Sequence, residues 1–154
     1  MFQMRRDTRK WFSDIRSYYE TDFDTYYLCL IAGLAAGHKP QSPITSDEVA
    51  DLVDYFPGKF KSRGRLLLGM LLSKELKSKG INLTEREAVD REIAKYVDPD
   101  SPSRMSPLGV SAMNDYAHGG YDILCEYFPE RPRTIEIFLR TYAQCIESYA
   151  GEAE

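Results

Sequence analysis

Apolar residues along the chain recur at helical spacing, and strand-like alternation is hard to find. Trp11, Phe12, Ile15, Tyr18 and Tyr19 fall on one face of a first helix predicted over roughly 4–19. A second helix is expected to begin near Asp22 or Asp24, both good N-caps, and to end at Gly37. Its apolar residues cover nearly the whole circumference, which predicts a central position. Gly33 and Gly37 stand four apart among Ala32, Ala35 and Ala36, a spacing that lets another helix backbone come close.

After the turn-rich stretch HKPQSPITS, Ser46 is predicted to cap a short helix to about Tyr55, with Val49, Leu52 and Val53 inward. Pro57-Gly58 stops it. A leucine-rich helix follows from about Ser62 to Lys79, closed by Gly80. Thr84 and Glu87 form a capping-box pattern for a helix to about Val97. Three prolines make 98–107, DPDSPSRMSP, a non-helical loop, either ordered by docking or mobile. Ser106-Pro107 reads as the N-cap and first residue of the next helix. Gly119-Gly120 is expected to weaken or break that helix, with Tyr121 to Phe128 continuing it. Pro132 is expected to start the last helix, which turns Ile135, Phe138, Leu139, Tyr142, Cys145, Ile146 and Tyr149 inward. The pattern predicts an all-α, compact single-domain bundle of about seven helices over 1–150, with 151–154 a frayed C-terminal tail.

Composition narrows the class. The 154 residues are 43% hydrophobic and 29% charged, the balance of a globular domain rather than a disordered one. The longest unbroken apolar run, Tyr26 to Ala36, has 11 residues, where a membrane span needs about 20. The N-terminus MFQMRRDTRKWF shows no apolar leader core, so no signal peptide and no membrane partner are expected. Cys29, Cys125 and Cys145 form an odd, widely spaced set, which fits a reduced cytoplasmic setting with the cysteines as small core residues. His38 and His118, the only histidines, lie at no metal-ligand spacing from a cysteine, so neither a metal nor another cofactor is expected.

Charge adds one asymmetry. The formal net charge is −4, which excludes a uniformly basic nucleic-acid coat. Between Gly58 and Lys79, however, seven cations face only Glu75, a local charge of +6 that leaves −10 elsewhere. Lys59, Lys61, Arg63 and Arg65 stand just before a predicted helix N-terminus, where open N–H groups and the helix dipole favour an anion. Phosphate, a nucleic-acid backbone or an acidic protein surface would fit, and so would a merely solvated basic face. The run is not a phosphate-binding P-loop, because Gly64 is followed by Arg65 and no strand precedes it. A second basic segment, Arg5 to Arg16, carries +3.

Catalytic chemistry finds little to work with. Glu85, Glu87, Asp90 and Glu92 share their helix with Arg86, Arg91 and Lys95, as a solvated face would. Cys125 lies seven residues after His118, on one face of an unbroken helix, but Gly119-Gly120 intervenes and no oxyanion loop is evident. A small hydrolase using that pair is the weakest reading, and no enzyme activity is expected. Eleven tyrosines, with Tyr18, Tyr19, Tyr26, Tyr27 and Tyr142 inward by periodicity, suit a core edge or an interface.

The stretch Met113 to Leu124, MNDYAHGGYDIL, resembles a motif of small accessory proteins encoded with DNA phosphorothioation (Dnd-type) defence systems. Tyr116, Ala117, Gly119, Gly120, Asp122, Ile123 and Leu124 follow that family's YANGG-acidic-Ile-Leu pattern, with His118 in place of the asparagine. Upstream, Phe23, Thr25, Ala32, Gly33, Leu34, Gly37, Lys39 and Pro40 are similar to the family's Phe-x-Thr start, apolar helix with Ala-Leu-Gly and basic-Pro exit, and the likeness spans roughly 20–145. The resemblance implies a bacterial accessory or adaptor subunit, without catalysis, that docks on a larger protein of an anti-phage modification or restriction complex. Tyr116, His118, Gly119, Gly120 and Tyr121 are then the motif and candidate interface. The alternative is binding of a DNA or RNA backbone through Lys59, Lys61, Arg63 and Arg65.

Overall fold

The structure, a computed structural model, describes residues 1–152. In chain order it comprises β1 (Gln3–Arg5), α1 (Arg6–Trp11), α2 (Asp22–Ala36), β2 (Val49–Asp51), α3 (Gly64–Ser78), α4 (Arg86–Tyr96), α5 (Pro107–Tyr127) and α6 (Ile135–Glu152). Three 3-10 helices, Ser13–Tyr18, Ser46–Glu48 and Gly58–Arg63, punctuate these elements. The mostly helical class is the one the apolar pattern predicts, with a two-stranded ribbon added. The chain's contacts fall into two compact units. One holds Met1–Phe2 and Val53–Met113; the other holds Gln3–Leu52 and the chain from Asn114 on. Among the described residues, no helix is long and apolar enough to cross a membrane.

In the second of these units, α2 is the central element, as its all-round apolar surface predicts. Tyr26, Leu30, Ala32 and Leu34 are fully buried. Thr21 caps it, its N–H donating to the Asp24 carboxylate at 3.0 Å. Gly37 ends it at φ +62°, and the His38 N–H donates back to the Gly33 carbonyl at 3.0 Å, a Schellman closure that only a left-handed residue allows. Trp11, Phe12, Phe128 and Phe138 meet edge to face or stacked, with centroids 4.9 to 6.3 Å apart, around Cys29, Ile123 and Cys145. The Tyr142 hydroxyl donates to the Leu28 carbonyl at 2.6 Å and ties α6 to α2.

Several predicted elements differ. The first helix is not continuous over 4–19. Met4 lies in β1, paired antiparallel with Ala50 of β2, and a 3-10 stretch replaces the helix after Trp11. Four cations at the predicted helix start already oppose its dipole, and strand pairing supplies Met4 with a buried site instead. The predicted helix from Ser46 to Tyr55 is one 3-10 turn followed by β2. The Thr45 N–H donates to Glu48 at 2.8 Å, so the cap forms, but Val49 then leaves the helix to pair with Arg5. Pro132 does not start the last helix. It is buried ahead of α6, and the Thr134 hydroxyl accepts the Ile137 N–H at 3.4 Å. Leu139, expected inward on that helix, is exposed. Gly151 and Glu152, assigned to a frayed tail, belong to α6; residues 153–154 of that tail lie outside the described residues.

In the other unit, α3 buries Leu67 and Leu71 and ends at Gly80, φ +69°, as its pattern predicts. The capping box of Thr84 with Glu87 does not form. Asn82 takes the Thr84 N–H and hydroxyl, each at 3.0 Å, and α4 starts from Glu85. Behind α3 and α4, buried Glu75 accepts the Tyr96 hydroxyl at 3.0 Å. Lys79 bridges that hydroxyl at 2.9 Å and Glu92 at 2.7 Å. Ser106 caps α5 as expected, accepting the Gly109 N–H at 3.1 Å.

Candidate functional site

The two groups of residues singled out by the sequence have opposite fates. The motif group lies on α5, which runs unbroken through Gly119-Gly120. Two glycines inside a helix cost about 1 kcal/mol each relative to alanine, and here close packing offsets that cost. A Cβ on Gly120 would overlap the Cys29 carbonyl and stand 2.7 Å from the Gly33 nitrogen. A Cβ on Gly33 would overlap the Tyr116 carbonyl. A Cβ on Gly119 would stand 2.9 Å from the Lys39 Cα. The α2 and α5 backbones therefore touch directly at Gly33, the close approach expected there and the reason no break occurs, whereas Gly37 of the same spacing is exposed at the end of α2.

The side chains around that seam are occupied. Tyr116 is buried with the Lys39 ammonium over its ring at 5.0 Å. The Tyr121 ring carries the Arg5 guanidinium at 4.8 Å, and Arg5 also pairs with Asp122 at 2.7 Å. Burial, with Arg5 nearby, lowers the His118 pKa to about 4, so the imidazole is neutral near pH 7. Tyr116, His118, Gly119 and Gly120 thus line an internal contact between helices, not an open face. Cys29 and Cys145 are core residues as expected, but Cys125 is exposed. Partial burial of its sulfur raises the Cys125 pKa, the opposite of an activated thiolate, and its polar partner is Tyr121. The N-terminal cations are spent locally: Arg9 and Arg16 share Asp22 at 2.7 and 3.2 Å.

The basic group opens onto a cleft of about 760 Å³ in the Val53–Met113 unit. That volume lies within the range of about 300–1,000 Å³ usual for ligand clefts. Local sequence builds it. Pro57 and Gly58, the latter at φ +49°, turn the chain into the 3-10 helix Gly58–Arg63, which sets Phe60 into the core. Arg63 and Gly64 both have right-handed helical backbone, so α3 is preceded by a helical turn and not by the open N-terminus expected for anion capture. The cleft offers side-chain charge instead.

Of the four cations proposed from the sequence, Lys61 and Arg65 line the cleft. Lys59 and Arg63 do not; their charges stand over the Phe60 ring at 5.4 and 6.0 Å. The third cleft cation, Arg104, is one the sequence reading passed over, because it sits alone in the proline-rich loop. That loop is ordered. Asp98 and Arg104 are joined by a backbone bond of 3.1 Å, Val97 bridges Met105, and the Arg104 guanidinium donates to the Pro99 carbonyl at 2.8 Å. Arg104 holds φ +64°, the one left-handed non-glycine among the described residues. Such a backbone costs about 1–3 kcal/mol and persists only where the surroundings hold it.

Tyr55, Phe56 and Leu68 give the cleft an apolar wall, with Pro99 and Pro102 opposite in chemistry to the three cations. Among the described residues, no acidic side chain lines it. Asp98 turns inward on its own loop, accepting the Asp100 N–H at 3.0 Å. Three positive charges beside aromatic carbon, with no carboxylate in the lining, could accommodate an anion that also carries a flat apolar body. Comparison with family models, with curated proteins and with solved structures gives no match to this chain.

Proposed function

We propose that this chain is a binding protein that holds nucleic acid in the cleft of its Val53–Met113 unit. Lys61, Arg65 and Arg104 would contact backbone phosphates, and the aromatic wall would contact the rest of the ligand. The observation that carries this reading is the cleft's combination of three cations with aromatic carbon and no acid. The net charge of −4 lowers non-specific attraction, but a local patch acts within about a Debye length, roughly 8–10 Å at physiological salt. The resemblance to Dnd-type accessory proteins supports a setting for it: an accessory subunit that docks on a larger protein of a bacterial DNA-modification or restriction system.

Fluorescence anisotropy with short labelled oligonucleotides tests the binding. Affinity is expected to fall steeply with salt, with a log–log slope of about −2 to −3 for three neutralised phosphates. The double substitution Lys61→Glu and Arg65→Glu should remove it. Absence of binding at low salt, or binding indifferent to that variant, would overturn the reading. The setting has its own test: affinity capture from the native host should return a component of such a system, and recovery of none would sink it.

A further inference from the structure

We propose that the cleft takes an unpaired base and so selects single-stranded nucleic acid over duplex; this rests on the nucleic-acid reading above. Tyr55 is 48% exposed while lining the cleft, so part of this aromatic side chain is within reach of a ligand. Phe56, next to it, is buried and fixed. Its ring lies 5.0 Å from that of Phe2, and Gly64, lacking a Cβ, lets it sit against the start of α3, where a Cβ would stand 2.9 Å away. A fixed aromatic beside an exposed one, with cations from two separate segments, matches a ligand that alternates flat rings and phosphates. A poly-glutamate peptide brings charge but no ring for Tyr55. A duplex brings phosphates, but its bases are stacked and paired, and one must be flipped out before it can reach the tyrosine. A single strand presents its bases without that step, and stacking accepts any base because every base has a π-face.

The test compares one labelled single-stranded oligonucleotide, its duplex, the same strand with abasic sites and a poly-glutamate peptide, at one salt concentration. The single strand should bind roughly tenfold or more tighter than either the duplex or the abasic strand. Tyr55→Ala should bring the single strand down to the abasic level, and Tyr55→Phe should keep it near the natural protein. Because Tyr55 is exposed, both variants are expected to fold, which thermal melts verify. Equal affinity for strand and duplex, or for the base-bearing and abasic strands, overturns the selection while leaving nucleic-acid binding in place. Peptide binding as tight as the strand makes the cleft a general anion site and overturns it too. No binding of any nucleic acid overturns this inference together with the reading it rests on.

Discussion

Three glycines around α2 and α5 and three in the Val53–Met113 unit stand in opposite surroundings. Around α2 and α5, Gly33, Gly119 and Gly120 are buried against backbone, and any added carbon would overlap a neighbouring main chain. In the Val53–Met113 unit, Gly58, Gly69 and Gly80 meet nothing within 4 Å, although Gly109 there is packed against the Tyr96 carbonyl and Gly64 against the Phe56 ring. The arginines of the first unit and the cleft cations of the second differ in a comparable way. Arg5, Arg9 and Arg16 are paired with Asp122 and Asp22 inside their unit. Among the described residues, no ion pair engages Lys61, Arg65 or Arg104. One unit uses its distinctive residues to hold itself together; the other, where Lys79 and Lys95 pair with Glu92, keeps its three cleft cations out of ion pairs. A motif can therefore mark packing while a plainer charge run marks a surface, and only the neighbours tell them apart.

Four substitutions or conditions put that contrast at risk. The largest effect is expected from Gly120→Ala, because the new carbon meets the Cys29 and Gly33 backbone, which cannot rotate away as a side chain could. We expect a loss of about 3 kcal/mol or more, the upper end of what overpacking costs. Urea denaturation showing a loss below about 1 kcal/mol would mean the two backbones have room to separate.

Next comes the pH dependence of His118, whose folded pKa of about 4 lies below its ordinary 6.5. The unfolded chain binds the proton first as pH falls, so stability is full above about 6.5 and declines towards 4. Urea melts at pH 5 should lie about 2 kcal/mol below those at pH 7. His118→Asn should flatten that difference, and an unchanged slope in the variant would assign the effect to other groups.

Gly69→Ala should act in the opposite sense to Gly120→Ala. Gly69 is exposed in the middle of α3 with open space around it, so alanine is expected to raise stability by about 0.5–1 kcal/mol. A destabilised variant would show that the α3 surface is less open than its surroundings indicate. The smallest effect is expected from Lys61→Ala with Arg65→Ala. Exposed, unpaired cations should change the melt by less than about 0.5 kcal/mol while weakening oligonucleotide binding. A large loss of stability would mean that these side chains serve the fold.

Much of the helical core was legible. The stretch from near Asp22 or Asp24 to Gly37 read as a central helix, Leu67 and Leu71 as an inward face, and Ser106-Pro107 as a helix start, because each signal is local and the structure agrees with it. The ribbon of β1 and β2 was not legible. Its strands are three residues each and lie more than forty residues apart, too short to show alternation. The four cations of the candidate basic site part company in space: Lys61 and Arg65 reach the cleft, Lys59 and Arg63 turn to Phe60, and all four look alike in a charge count. Arg104 could have been suspected only from its place in a loop whose three prolines limit its freedom.

By itself the sequence determined the helical class, the closing glycines Gly37 and Gly80, and the concentration of positive charge between Gly58 and Lys79, since propensity, capping and charge belong to neighbouring residues. Tertiary structure alone decided that Gly119-Gly120 stays helical, that Met4 joins a strand, and that Arg104 meets Lys61 and Arg65 around one cleft. Those outcomes depend on groups distant along the chain. A glycine inside a helix is a weakness until another backbone fills the space beside it, and a lone arginine is only a surface charge until folding brings two more cations to the same cleft.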